Sequence, residues 1–192
     1  MLYSDLRRED NYNEYLRLSQ NDDYLDVTFD EESGGMSAVH RLHKFAKKPG
    51  INGKSQGDYE RAVLAIMRKS GHRIVLESET NRPGVKSCDG YLDDVPLEIK
   101  AIEGKGTWAI CSKLLKADKQ KAQCVVLYFP DKNLFSAARI EDGIGKYMAS
   151  PDPGKGLNIS RLLAISEDGE LAVWDKKATP IEGWSVWEGF RR

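Results

Sequence analysis

The chain has 192 residues, 40% apolar and 31% charged, with 29 basic against 30 acidic side chains. That length fits one domain of ordinary size, or one domain with an N-terminal arm, and an aromatic content of 9% at near-zero net charge excludes wholesale disorder. No run of eighteen apolar residues occurs, which argues against a membrane-spanning helix, and the opening MLYSDLRRED lacks the apolar stretch of a signal peptide. Three cysteines, Cys88, Cys111 and Cys124, form no CxxC pair. A disulfide framework and a cysteine-based zinc site are therefore not expected, and a reducing, cytoplasmic compartment is. With a pI of about 6.3, any nucleic-acid site must be local rather than spread over the surface.

Residues 4 to 32 carry ten acidic groups. Their weak amphipathicity predicts one helix around residues 10 to 19 inside an acidic arm or linker, residues 1–33, ending at Ser33-Gly34-Gly35. A second helical piece, SAVHRLHKF, is expected before the Pro49-Gly50 turn. From residue 56 the signals sharpen. DYERAVLAIMRKSG places Tyr59, Ala62, Val63, Ile66 and Met67 at helical spacing, and Ser70-Gly71 stops the helix. HRIVLES reads as a strand, ETNRPG as a loop, and KSCDGYL and VPLEIKAI as two strands joined tightly at Asp93-Asp94. Thr107 is placed to cap a helix from Trp108 to Ala122, and QCVVLYF has the unbroken apolar run of a central strand. A helix over 137 to 148, the turn-rich SPDPGKG, and a hairpin of RLLAIS and ELAVWD around Glu167-Asp168-Gly169 complete the chain.

The order from residue 56 is α-β-β-β-α-β-α-β-β. It predicts an α/β fold, an α+β mixed sheet flanked by helices, in a domain over 34–192. Its core motifs lie at 56–130, and a C-terminal extension at 131–192 adds a helix and a β-hairpin.

Three residues stand out: Asp89 in CDGYL, with Glu98 and Lys100 in LEIK. Glu98 and Lys100, two apart on a strand, share one face, while Leu97, Ile99 and Ala101 form the other. If Asp93 and Asp94 are the turn, Leu92 pairs with Val95, Tyr91 with Pro96, Gly90 with Leu97 and Asp89 with Glu98. Two carboxylates then face each other across the ladder, an arrangement that calls for a cation between them. A hard divalent cation, Mg²⁺ or Mn²⁺, is the natural occupant, with the Lys100 ammonium beside it. Such a centre suits metal-assisted phosphodiester hydrolysis, the metal activating water and Lys100 offsetting charge on phosphorus. Glu60, in the helical row Glu60, Leu64, Met67, stands as a third candidate ligand, against the alternative of an exposed helix carboxylate.

The order of a helix with Glu60, a strand, a strand with Asp89, a strand with Glu98-x-Lys100, a helix and a strand resembles the PD-(D/E)xK nuclease superfamily. The resemblance implies a restriction-endonuclease-like α-β-β-β-α-β core and divalent-metal-dependent endonuclease activity. It also implies that the helix after the motif points a Lys or Gln at the site; Gln120 matches, with Lys116 one turn before. More narrowly, GDYERAV to VVLYFP looks like the C-terminal toxin nucleases of contact-dependent inhibition proteins, which cleave tRNA. GGMSAVHRLHKF looks like a segment preceding such domains in phage-head-associated and polymorphic-toxin proteins. Residues 34 to 130 carry the likeness, and Cys88 replaces the proline that precedes the motif aspartate. The implied substrate is tRNA or other RNA, with DNA also open. The implied biology is a bacterial toxin-type effector with a cognate immunity protein, acting in the cytoplasm where it is made or in that of a target cell. No membrane partner is expected.

Ordinary readings compete at each position. A strand carrying Glu and Lys two apart is commonly a solvated face, and Asp before Gly commonly a turn. It is their joint order, with apolar strands on either side, that favours a site. Lys100, Lys105, Lys113, Lys116, Lys119 and Lys121 surround that site, and Lys113, Lys116 and Lys119 are candidate phosphate contacts. His40 and His43 have a spacing compatible with metal. No third ligand lies near them in sequence, so a surface pair or a contact to the phosphate backbone is favoured over zinc. His72 reads as structural, and Glu77 and Glu79 as solvated. Trp174, Trp184 and Trp187 read as packing aromatics. From another functional class, a non-catalytic nucleic-acid- or protein-binding module of a phage or mobile-element structural protein remains the alternative.

Overall fold

Cys124–Phe129, apolar at every position, is buried along its whole length and runs parallel to a neighbour on each side, the placement that a two-sided apolar strand requires. In a computed structural model that describes residues 3–78, 88–150, 158–176 and 187–191, this strand is β6 of a nine-stranded mixed sheet whose spatial order follows the chain. The elements are α1 (Tyr3–Ser19), β1 (Tyr24–Phe29), β2 (Met36–His40), α2 (Gln56–Lys69), β3 (Arg73–Leu76), β4 (Gly90–Leu92), β5 (Val95–Ala101), α3 (Ala109–Lys119), β6, α4 (Ala137–Met148), β7 (Arg161–Ser166), β8 (Leu171–Lys176) and β9 (Trp187–Arg191).

The helices divide between the two faces of the sheet. On one face α2 buries Tyr59, Val63 and Met67 against Ile74, Leu76, Leu97 and Val126. The capping box at Ser55, whose hydroxyl takes the Asp58 N–H while the Asp58 carboxylate takes the Ser55 N–H, holds the start of α2. On the other face α3 and α4 cover Val125, Leu127 and Leu162, and α1 covers Met36, Ala38 and Val75 through Leu18. Trp174 is buried beneath α3 and α4, as a packing aromatic. No described helix is long and apolar enough to cross a membrane.

From residue 56 the observed order is the one read from the sequence, with β9 added at the end. The N-terminal part differs. The helix expected around residues 10 to 19 is present but longer, Tyr3–Ser19, and the arm expected over 1–33 goes on into a strand; SAVH is not helical but the core of β2, antiparallel to β1 and parallel to β3. Helix spacing in SAVHRLHKF is outweighed by pairing: a strand beside β3 buries Met36, Ala38 and Val39 on both faces, a gain of context rather than of propensity. β1 escaped notice because a bulge between Leu25 and Thr28, with Asp26 at φ 52°, breaks its alternation. Thr107 does not cap α3, whose N-cap is Trp108 without a side-chain bond. The loop at ETNRPG, the segment 151–157 and Trp184 lie outside the described residues.

Candidate active site

The site is set up by a tight hairpin. Asp93 and Asp94 take φ of 49° and 67°, the left-handed pair of a type I′ turn. The resulting register joins Leu92 to Val95, Tyr91 to Pro96 and Gly90 to Leu97, as the sequence predicts. Asp93 locks the turn from outside: it accepts the Arg73 N–H at 2.9 Å and bonds His72 Nδ1 at 2.7 Å, and Arg7 of α1 pairs with it. One step past the ladder, the Asp89 carboxylate accepts the Ile99 N–H at 2.7 Å, and its carbonyl takes the Glu77 N–H at 3.0 Å. The next residue must be glycine, since a Cβ on Gly90 would stand 2.0 Å from the Val75 carbonyl oxygen.

Glu98 lies opposite, with none of its surface exposed. Its partners across β6 are Val125 and, for Lys100, Leu127, so both side chains emerge on the α3 face. Glu98 is ion-paired with Lys100 and accepts a hydrogen bond from Gln120 Nε2 at 2.7 Å. Gln120 is the C-cap of α3. Burial, and then the negative charge of Asp89, push the Glu98 carboxyl up to about 8 against the pull of Lys100. Cys88 donates to the Gln120 carbonyl at 3.2 Å. Burial and the two carboxylates raise its thiol to about 11, so it is a neutral packing group rather than a nucleophile.

A cationic flank adjoins the carboxylates. Lys113 is half-buried, and burial lowers its pKa, helped by the charges of Lys116, Lys100 and Lys48 and opposed by Glu103. Lys116 is exposed on α3, and Lys119 is exposed at the end of that helix. Lys48, from the loop before α2, also acts on Lys113 by its charge; the sequence reading missed it, since nothing in spacing links residues about a third of the chain apart.

The structure does not bring Glu60 into the carboxylate group. Its Oε2 lies 3.0 Å from His43 Nε2, and His43 Nδ1 lies 2.9 Å from the Glu77 carbonyl. Both partners are acceptors, so His43 satisfies both only as an imidazolium. Burial lowers its pKa, but Glu60 and the Glu77 carbonyl outweigh that and raise it. His40 instead accepts the Leu42 N–H at 3.1 Å and meets the Tyr24 ring edge to face. The two histidines thus have separate jobs, and the strand that replaces the expected helix is the reason. Glu77 is bonded to Tyr24 rather than freely solvated.

Among the described residues no group of three or more His, Cys, Asp or Glu side chains is placed to hold a metal ion. Asp89 and Glu98 remain as a pair of hard oxygen donors whose mutual repulsion a cation would relieve. Two carboxylates fit Mg²⁺ or Mn²⁺, since Mg²⁺ commonly keeps several waters and binds through one or two carboxylates plus phosphate oxygens. Protein-family models, curated proteins and solved structures were all compared with this chain, and none matches.

Proposed function

We propose that the chain is a divalent-metal-dependent endonuclease that hydrolyses phosphodiester bonds, in the manner of the PD-(D/E)xK superfamily that its motif order resembles. The observation that carries the reading is the buried Glu98 carboxyl. It is held against Asp89 and contacted by Lys100 and Gln120 from the positions that the motif assigns. Asp89 and Glu98 would hold the metal, which when bound supplies Lewis acidity toward a phosphate oxygen and acidifies water. Lys100, fixed by its pairing with Glu98, stands ready to offset charge that builds on the phosphate. Gln120 orients one oxygen of Glu98, Oε1, leaving Oε2 to Lys100. Lys48, Lys113 and Lys116 make a local cationic flank for the phosphate chain on a protein whose formal net charge is −1. A toxin-type effector acting on tRNA or other RNA, with an immunity protein as partner, is the narrower form of this proposal.

One observation favours the non-catalytic alternative: both Glu98 oxygens already have partners within the chain, as in a closed structural network. Thermal melting with Mn²⁺ separates the two. A nuclease site predicts a Tm that rises with Mn²⁺ in wild type and is indifferent to it in Glu98→Ala. A wild-type Tm that does not respond to Mn²⁺ sinks the metal-dependent reading.

A further inference from the structure

On the face that carries Glu98 and Lys100, α1 packs over β2 and β3, and α3 packs over β6. Val75 is packed under α1, and Tyr91 is its partner across the β3–β4 ladder. Tyr91 in turn faces Pro96 across the hairpin. Asp89 and Glu98 are two residues further along the same two strands, about 7 Å away. A cavity of about 300 Å³ opens at this point, floored by Val75 and Tyr91 and walled by α1.

Its chemistry is distinctive. Tyr91 is 45% exposed, a flat aromatic facing an open space. Around it stand Arg17, Arg73 and the Tyr24 hydroxyl as donors, and Glu14, Glu77 and Asp94 as acceptors. The groups are largely paired off: Arg17 with Glu14 at 2.7 and 2.6 Å, Arg73 with Asp94, and the Tyr24 hydroxyl with Glu77 at 2.9 Å. Three carboxylates against two guanidiniums make the cavity a poor host for phosphate. Carboxylates keep free lone pairs and guanidiniums keep free N–H groups after pairing. An aromatic platform ringed by donors and acceptors, with no surplus of positive charge, suits a neutral, planar, polar heterocycle.

We propose that this cavity binds one unpaired nucleobase of the substrate, stacked on Tyr91 and bonded at its edge by the Glu14, Arg17 and Glu77 side chains. The proposal rests on the nuclease reading for its biological sense. It deepens that reading by naming a single-stranded or looped nucleic acid as the substrate class, since a base in a duplex cannot be splayed into such a cavity. The phosphodiester next to the bound base then falls toward the Asp89 end of the same hairpin.

The test uses the full chain without metal, titrated separately with adenosine, guanosine, cytidine, uridine, ribose 5-phosphate and inorganic phosphate, with amide chemical shifts as the readout. At least one nucleoside should shift Val75, Glu77 and Tyr91 saturably, and neither phosphate should. Tyr91→Ala should weaken that nucleoside by roughly 10-fold, with Tyr91→Phe restoring it to within about two-fold, because stacking rather than the hydroxyl supplies the affinity. The exposure of Tyr91 makes both variants compatible with folding. Unshifted signals with all four nucleosides, binding of ribose 5-phosphate in their place, or wild-type affinity in Tyr91→Ala would overturn the proposal. Because no metal and no cleavage enter the measurement, its outcome is independent of whether the chain hydrolyses phosphodiesters.

Discussion

Glu98 is a carboxyl that the fold makes uncomfortable. It is fully buried, held beside a second carboxyl, and raised to about 8. Because its folded pKa lies above the ordinary glutamate value, it favours the folded state most below that ordinary value and loses this contribution as pH rises toward 8. Removing the charge while keeping the shape should therefore stabilise the metal-free protein at high pH. Glu98→Gln is expected to melt a few degrees above wild type at pH 9, with the advantage shrinking toward pH 4; each kcal/mol corresponds to about 2–4 °C in a chain of this size. Equal melting temperatures across that range would mean that Lys100 already neutralises the site. The candidate catalytic residues were legible one by one because their spacing on strands translates directly into a shared face. The pairing of Glu60 was not legible, because a helix row specifies which side a carboxylate leaves from, not which neighbour captures it. The neighbour, His43, is seventeen residues away on a loop.

The β4–β5 hairpin is the element on which the site depends, and Asp93 is its lock. Burial raises the Asp93 carboxyl, but its hydrogen bond and charge interaction with His72, the Arg73 N–H and the charge of Arg7 outweigh burial and hold it below the usual aspartate range. Stability from Asp93 is then present above its ordinary pKa of about 3.9 and lost as pH falls through the depressed folded value. Asp93→Ala should cost on the order of 2–4 kcal/mol near neutral pH and much less near pH 2, because it strands the Arg73 N–H and removes two partners at once. Urea midpoints at the two pH values check this, and a pH-independent loss would point to turn strain alone. The hairpin register could be read from Asp93-Asp94 because a two-residue turn leaves one pairing for the flanking strands. The cap of α3 could not: Thr107 is the right residue type, but the helix starts one residue too late for its hydroxyl to serve.

Across the whole molecule, the sheet from α2 onward was legible because each element announces its own period. The N-terminal third was not, because its strands are defined by partners. Met36–His40 becomes a strand only beside Arg73–Leu76, and α1 earns its place through Leu18, which is 1% exposed against Met36, Ala38 and Val75. Leu18→Ala should lower stability by about 2–4 kcal/mol within one cooperative transition; a free arm would leave the midpoint unchanged. Through Arg7 that helix also braces the hairpin turn, so the segment expected to be an arm or linker supports the geometry of the candidate site. The measurement that bears most directly on the central claim is cleavage of tRNA, single-stranded RNA and plasmid DNA by wild type, Lys100→Ala, Glu98→Ala and Asp89→Asn, each with and without Mg²⁺ or Mn²⁺. Metal-dependent cleavage of at least one substrate by wild type is predicted, slowed by roughly 10² or more in Lys100→Ala with metal affinity retained. In Glu98→Ala and Asp89→Asn activity and metal affinity should be lost together. No cleavage by wild type under any of these conditions, or undiminished cleavage by Lys100→Ala and Glu98→Ala, would contradict the assignment.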